Sequence, residues 1–153
     1  MLLAGVRKGE DVELARADIG GRFCIAKVEN QLALQHYEEI LEKADAVVID
    51  RQMLNLELPP EKAFIAQKWM VEKAAIVGKP CLLMNQVLES MISTPRPTRL
   101  EASGLRNLIQ DGADGFIMGR EVEVGEYPVN ALMFAAKIAV ESEVPHKPKQ
   151  YFK

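Results

Sequence analysis

A chain of 153 residues, 48% apolar and 27% charged, has the size and composition of one globular unit able to bury a core. Its net charge of −3, from 22 acidic and 19 basic residues mixed along the chain, provides no basic face for nucleic acid. No apolar stretch approaches the roughly 20 residues that span a bilayer, so neither nucleic acid nor membrane is an expected partner.

Residues 1–6 (Met-Leu-Leu-Ala-Gly-Val) open the chain as an apolar run, too short and without the preceding basic region of a signal peptide. They read as the first of five strands. An amphipathic helix is predicted over 11–19, a strand over 22–28, a helix over 32–41, a strand over 46–49 and a long helix over 61–77. A strand over 80–84, a helix over 100–110, a strand over 115–118 and a last helix over 130–142 complete the order. Cys24 and Cys81 lie inside two of the apolar runs, as buried small hydrophobes of a reducing, cytoplasmic compartment do. Strands apolar on both faces and separated by helices form a parallel sheet covered by those helices. Gly78-Lys79-Pro80 and Asp111-Gly112-Ala113-Asp114 read as tight returns from helix to strand. The expected organisation is one unit over 1–143 and an extended tail over 144–153, where two prolines and three lysines oppose regular structure. For Tyr151 and Phe152 in that tail a disordered end is the favoured reading over that of anchors for a partner.

In the second strand Lys27 and Glu29 are two residues apart and emerge on the same side near its carboxyl end. A cation and a carboxylate so placed can hold an oxyanion and a metal, or can pair with each other. Further on, Leu88-Glu89-Ser90-Met91-Ile92 runs into Pro95-Arg96-Pro97-Thr98-Arg99-Leu100-Glu101, followed by Asp111-Gly112-Ala113-Asp114 and Gly125-Glu126-Tyr127-Pro128. In order and nearly in spacing, this series resembles the signature segments of the pyruvate kinase family, from about residue 1 to 142.

That resemblance implies an α/β fold: part of a (β/α)₈ TIM barrel, with about five parallel strands corresponding to strands four to eight and an active site at their carboxyl ends. It also implies roles. Lys27 matches the lysine of the family's I-S-K-I-E-N strand, which stabilises the enolate, and Glu29 matches one of two carboxylates that hold the divalent metal. The family's A-R-G-D-L-G-I-E-I-P segment reads Asp50-Arg51-Gln52-Met53-Leu54-Asn55-Leu56-Glu57-Leu58-Pro59 here. Met53 therefore replaces the second metal carboxylate, and a soft, neutral thioether cannot serve a hard magnesium ion. Arg51 and Gln52 fall in the substrate-phosphate segment, where Gln52 and Asn55 replace two glycines. Asp50, a candidate substitute ligand, is expected to point from the wrong place. Asn85 replaces the threonine that helps deliver the proton, an amide being a poor relay. On the nucleotide side, S-G-E-T has become Gly119-Arg120-Glu121-Val122.

The family uses magnesium and potassium; with these replacements no cofactor is expected for this chain. His36 and His146 have no partner at metal-ligand spacing, and Trp69 and Met70 are expected to face the sheet as core. Two functional classes follow. In one, the chain is a catalytically inactive pyruvate-kinase-like protein serving as a structural or interaction subunit. In the other, it is a fragment of an active pyruvate kinase transferring phosphoryl from phosphoenolpyruvate to ADP in glycolysis. The first accounts for more of the replacements. Five parallel strands do not close a barrel, so a protein partner or a second copy is expected to cover the open edges, a cytoskeletal or axonemal assembly being one setting that would fit. In a third reading the remaining strands belong to the same, longer protein.

Overall fold

The computed structural model describes residues 1–143; the predicted tail, with His146, Tyr151 and Phe152, lies outside them. Five strands form at the predicted runs, the third reaching one residue further, to Asp50: β1 (Leu2–Leu3), β2 (Ile25–Val28), β3 (Ala46–Asp50), β4 (Cys81–Met84) and β5 (Gly115–Ile117). They pair in chain order, β1-β2-β3-β4-β5, and every pair is parallel. The sheet is not closed, as a partial barrel requires: among the described residues β1 and β5 each pair with one neighbour only.

The register sets Lys27 opposite Val48 and Asp50 opposite Met84. Because strand side chains alternate, Lys27, Val48, Asp50 and Met84 share one face. Ala26, Val28, Val47, Ile49, Cys81 and Leu83 occupy the other, packed in one core with Val12, Tyr37, Ile40, Met70, Val71 and Ala74 of the covering helices. These helices include α1 (Gly9–Asp18), α3 (Tyr37–Lys43) and α5 (Pro60–Ile76). A second core gathers Val87, Leu88, Met91, Leu105 and Ala131, under α6 (Arg99–Gln110) and α8 (Pro128–Glu143). On the face carrying Lys27, Val48 and Asp50 are buried as well.

The turn chemistry is local. Gly78 and Gly112 adopt φ of 69° and 102°, and the next residues donate back into the helix, Lys79 to the Ala74 carbonyl and Ala113 to the Leu108 carbonyl; only glycine takes this conformation without a Cβ penalty. Asp45, just before β3, accepts from the Cys24 N–H at 2.7 Å, and Asp114, just before β5, accepts from the Cys81 N–H at 2.8 Å. The two cysteines are free and buried, and burial pushes the Cys81 thiol up to about 12. In the Leu88–Glu101 stretch, Glu101 accepts from the backbone and hydroxyl of both Ser90 and Thr98, so this motif is a capping box that also holds the preceding 3₁₀ turn, Glu89–Ile92.

Three expectations are corrected. The helix predicted over 32–41 is two, α2 (Gln31–Gln35) and α3, broken at His36; the new direction buries Tyr37, whose hydroxyl donates to the Met70 carbonyl at 2.9 Å. Two short helices, α4 (Arg51–Glu57) and α7 (Arg120–Glu123), were not predicted, because each buries a single side chain, Leu54 and Glu121, and has no apolar stripe to read. Met70 is fully buried, but Trp69 is 36% exposed. Its ring lies 5.5 Å from that of Tyr37, with the Lys73 ammonium 5.8 Å away, so it covers the core edge rather than filling it.

Candidate functional site

At the carboxyl ends of β2 and β3 the alternation of side chains brings three charges together. Lys27 Nζ lies 2.6 Å from Glu29 Oε2 and 3.2 Å from Asp50 Oδ2. The side chains are 16%, 15% and 3% exposed. Asp50 therefore points into the cluster, contrary to expectation: two residues beyond Val48, it is on the face of Lys27. Burial by itself would lower the Lys27 pKa, but hydrogen bonds from the ammonium to Glu29 and Asp50, with their charges, leave it raised above the ordinary 10.5.

The carboxylate oxygens have other donors as well. Glu29 Oε1 accepts from the Gly5 N–H at 2.6 Å. Asp50 Oδ1 accepts from the Met53 N–H at 3.2 Å, which caps α4, and from Asn85 Nδ2 at 3.0 Å. All four oxygens are thus engaged by protein groups, and the ammonium holds the position between the two carboxylates.

Met53 lies on the first turn of α4, 39% exposed. Its thioether brings no anionic oxygen to the cluster, and among the described residues no group of three or more His, Cys, Asp or Glu is placed to hold a metal ion. This donor set does not fit a magnesium ion, which demands six oxygens in near-octahedral geometry. Gln52 is exposed beside Met53. Arg51 turns away from the cluster: Nη1 donates to the Gln86 carbonyl at 2.7 Å, and burial lowers its pKa. Asn55 Nδ2 donates to Gln86 Oε1 at 2.7 Å, so the backbone and side-chain oxygens of Gln86 are both held. Neither contact was readable in the sequence, since position 86 lies 31 and 35 residues from its partners. A cavity of about 370 Å³ opens between α4 and α5, lined by Arg51, Leu54, Asn55 and Phe64 among others; it does not include Lys27, Glu29 or Asp50.

Asn85 follows β4 with φ of 65°, and Gln86 follows with 51°, a left-handed pair that asparagine tolerates better than most residues. Gly119, just past β5, is buried against Asn85, while Arg120 is exposed. Sequence reasoning missed Glu121. It is 0% exposed, and neither carboxylate oxygen has a hydrogen-bond partner among the described residues. No local pattern announces such a residue, because its four-residue helix is otherwise exposed or half-exposed.

The family profile described as pyruvate kinase, barrel domain, matches residues 1–132. Human pyruvate kinase PKLR is 40% identical over 151 residues, 96% of this chain and 26% of that protein. The cytosolic isozyme of Glycine max is 41% identical over 92% of this chain and 28% of its own length, and the probable cytosolic isozyme of Arabidopsis thaliana is 42% identical over 92% and 29%. The chain thus spans between a quarter and a third of the length of these relatives. With the open parallel sheet and the Lys27–Glu29 strand in place, these matches show that the chain belongs to the pyruvate kinase family, as part of its barrel domain.

Proposed function

We propose that this chain is a catalytically retired pyruvate-kinase-like protein that serves as a structural or interaction subunit. The observation that carries this reading is the closed cluster at Lys27. Phosphoryl transfer relies on positioning and on neutralising charge with metal, whereas Glu29 and Asp50 here spend their negative charge on an internal ammonium at 2.6 and 3.2 Å. Met53 in place of a metal carboxylate and Asn85 in place of a hydroxyl support the same reading.

The other half of the proposal is a protein partner, either another polypeptide or a second copy, over the open sheet. Exposed strand edges recruit further strands. At the β1 edge Met1 is 50% exposed and Leu2 is 44% exposed, with Phe23 nearby at 57%. The cytosolic isozymes among the relatives support a cytoplasmic setting, and no helix of the described residues is long and apolar enough to cross a membrane. None of these observations favours a cytoskeletal or axonemal assembly over another.

A second reading keeps the chain as a fragment of an active pyruvate kinase; identity of about 40% to such enzymes and the retained Lys27 and Glu29 favour it. A coupled assay for pyruvate from phosphoenolpyruvate and ADP, with magnesium and potassium present, separates the two. No turnover is expected from the unmodified chain, alone or with its partner, and turnover would falsify the retired-catalyst reading.

A further inference from the structure

Position 119 is contested by two neighbours. A Cβ built on Gly119 would stand 2.7 Å from Asn85 Oδ1 and 3.6 Å from Glu121 Oε2. The first distance is shorter than side chains tolerate. It could be relieved cheaply if the Asn85 amide were free to swing, but both the amide and the backbone that carries it are anchored. Its Nδ2 donates to Asp50 Oδ1 at 3.0 Å, and the Asn85 backbone N–H donates to the Ile117 carbonyl at 3.2 Å. Asp50 is in turn fixed as the N-cap of α4 and by Lys27. Asparagine also suits the site for its backbone: at φ of 65° a β-branched side chain is strained.

On the other side of Gly119, Glu121 is fully buried with both oxygens unpartnered. Such a group is costly to leave unmade. A hydroxyl carried on a Cβ at 119 would come within hydrogen-bond reach of Oε2, yet that Cβ is what the Asn85 amide excludes.

We infer that Asp50, Asn85 and Gly119 form one interdependent unit: the Asn85 amide, anchored on Asp50 at the end of β3, fills the space that a side chain at 119 would need and leaves Glu121 without a donor. Charge cluster and amide together make a polar clasp across the carboxyl ends of the strands, running from Gly5 through Glu29, Lys27 and Asp50 to Asn85. The unit exists whether or not the chain turns over substrate, and stability rather than activity reads it out.

A double-mutant cycle on the full chain tests this, with Gly119→Ala adding only the Cβ and Asn85→Gly removing the amide without backbone strain. Thermal unfolding is measured for each variant. The cycle cancels any cost that the backbone of 119 itself imposes. The Gly119→Ala penalty is expected to shrink by about 3–10 °C in the Asn85→Gly background. In that same background Gly119→Ser should unfold at a higher temperature than Gly119→Ala, because its hydroxyl reaches Glu121. Asp50→Ala, which frees the amide, should reduce the Gly119→Ala penalty as well. Should Gly119→Ala alone fail to fold, recovery of a cooperative transition in the double variant supports the unit. Equal penalties in every background, or no recovery, overturn it.

Discussion

At the residue scale, the chemistry turns on which group neutralises Glu29. In this chain it is Lys27, and the two form with Asp50 a cluster that is 16%, 15% and 3% exposed. Lys27→Met would leave two facing carboxylates without their cation and is expected to cost about 1–3 kcal/mol. The pH dependence has a definite sign. The folded Lys27 pKa is raised above 10.5, so its contribution is complete below the unfolded value and is lost as pH rises through the folded one. Urea midpoints followed from neutral pH upward should therefore fall less steeply at the alkaline end in Lys27→Met than in the unmodified chain. A second expectation concerns Met53. Met53→Asp restores a carboxylate at the first turn of α4, yet the Lys27–Asp50 pair still occupies the cluster. Manganese binding, read by electron paramagnetic resonance, should be weak in Met53→Asp and should strengthen at least tenfold in Met53→Asp/Asp50→Ala. Equal affinities would show that the Lys27–Asp50 contact does not compete with the ion.

At the element scale, the capping box of α6 explains why the Leu88–Glu101 stretch reads so distinctly. Ser90 and Thr98 both bind Glu101, and one carboxylate therefore joins a 3₁₀ turn to the start of a helix eleven residues away. Thr98→Ala is expected to lose about 1 kcal/mol of stability in urea unfolding. Burial would raise the Glu101 pKa, but the hydrogen bonds from Ser90 and Thr98 win and hold it below 4.5. Its contribution is present above the unfolded value and is lost as pH falls through the folded one. Glu101→Gln should accordingly destabilise near neutrality and matter little in strong acid. The element-scale surprises share one cause: α4 and α7 bury one side chain each, so α4 forms under its Asp50 cap and α7, without a side-chain cap, against its tertiary neighbours, not because an apolar stripe demands it.

At the scale of the whole molecule, the β1 and β5 edges, which pair on one side only among the described residues, dominate. If a partner or second copy covers them, the chain in solution should have a mass above 17.0 kDa that depends on concentration, as measured by sedimentation. Leu2→Lys, placing a charge on the β1 edge, should then lower that mass. A monomer that unfolds cooperatively at every concentration would contradict the interaction reading.

Much of this architecture was legible in the chain itself. The five apolar runs, the helices between them, the glycine stops and the shared side of Lys27 and Glu29 follow from local periodicity and turn chemistry, which act over a few residues. What only the tertiary structure decided is which distant side chains meet. Asp50 joined Lys27 because the β2–β3 register set their faces together, and Asn85 reached Asp50 because a left-handed turn after β4 aimed its amide across the sheet. Glu121 is buried beside Gly119 with neither oxygen partnered among the described residues. Such contacts span 23 to 35 positions and depend on strand register and packing, and no short-range pattern encodes those.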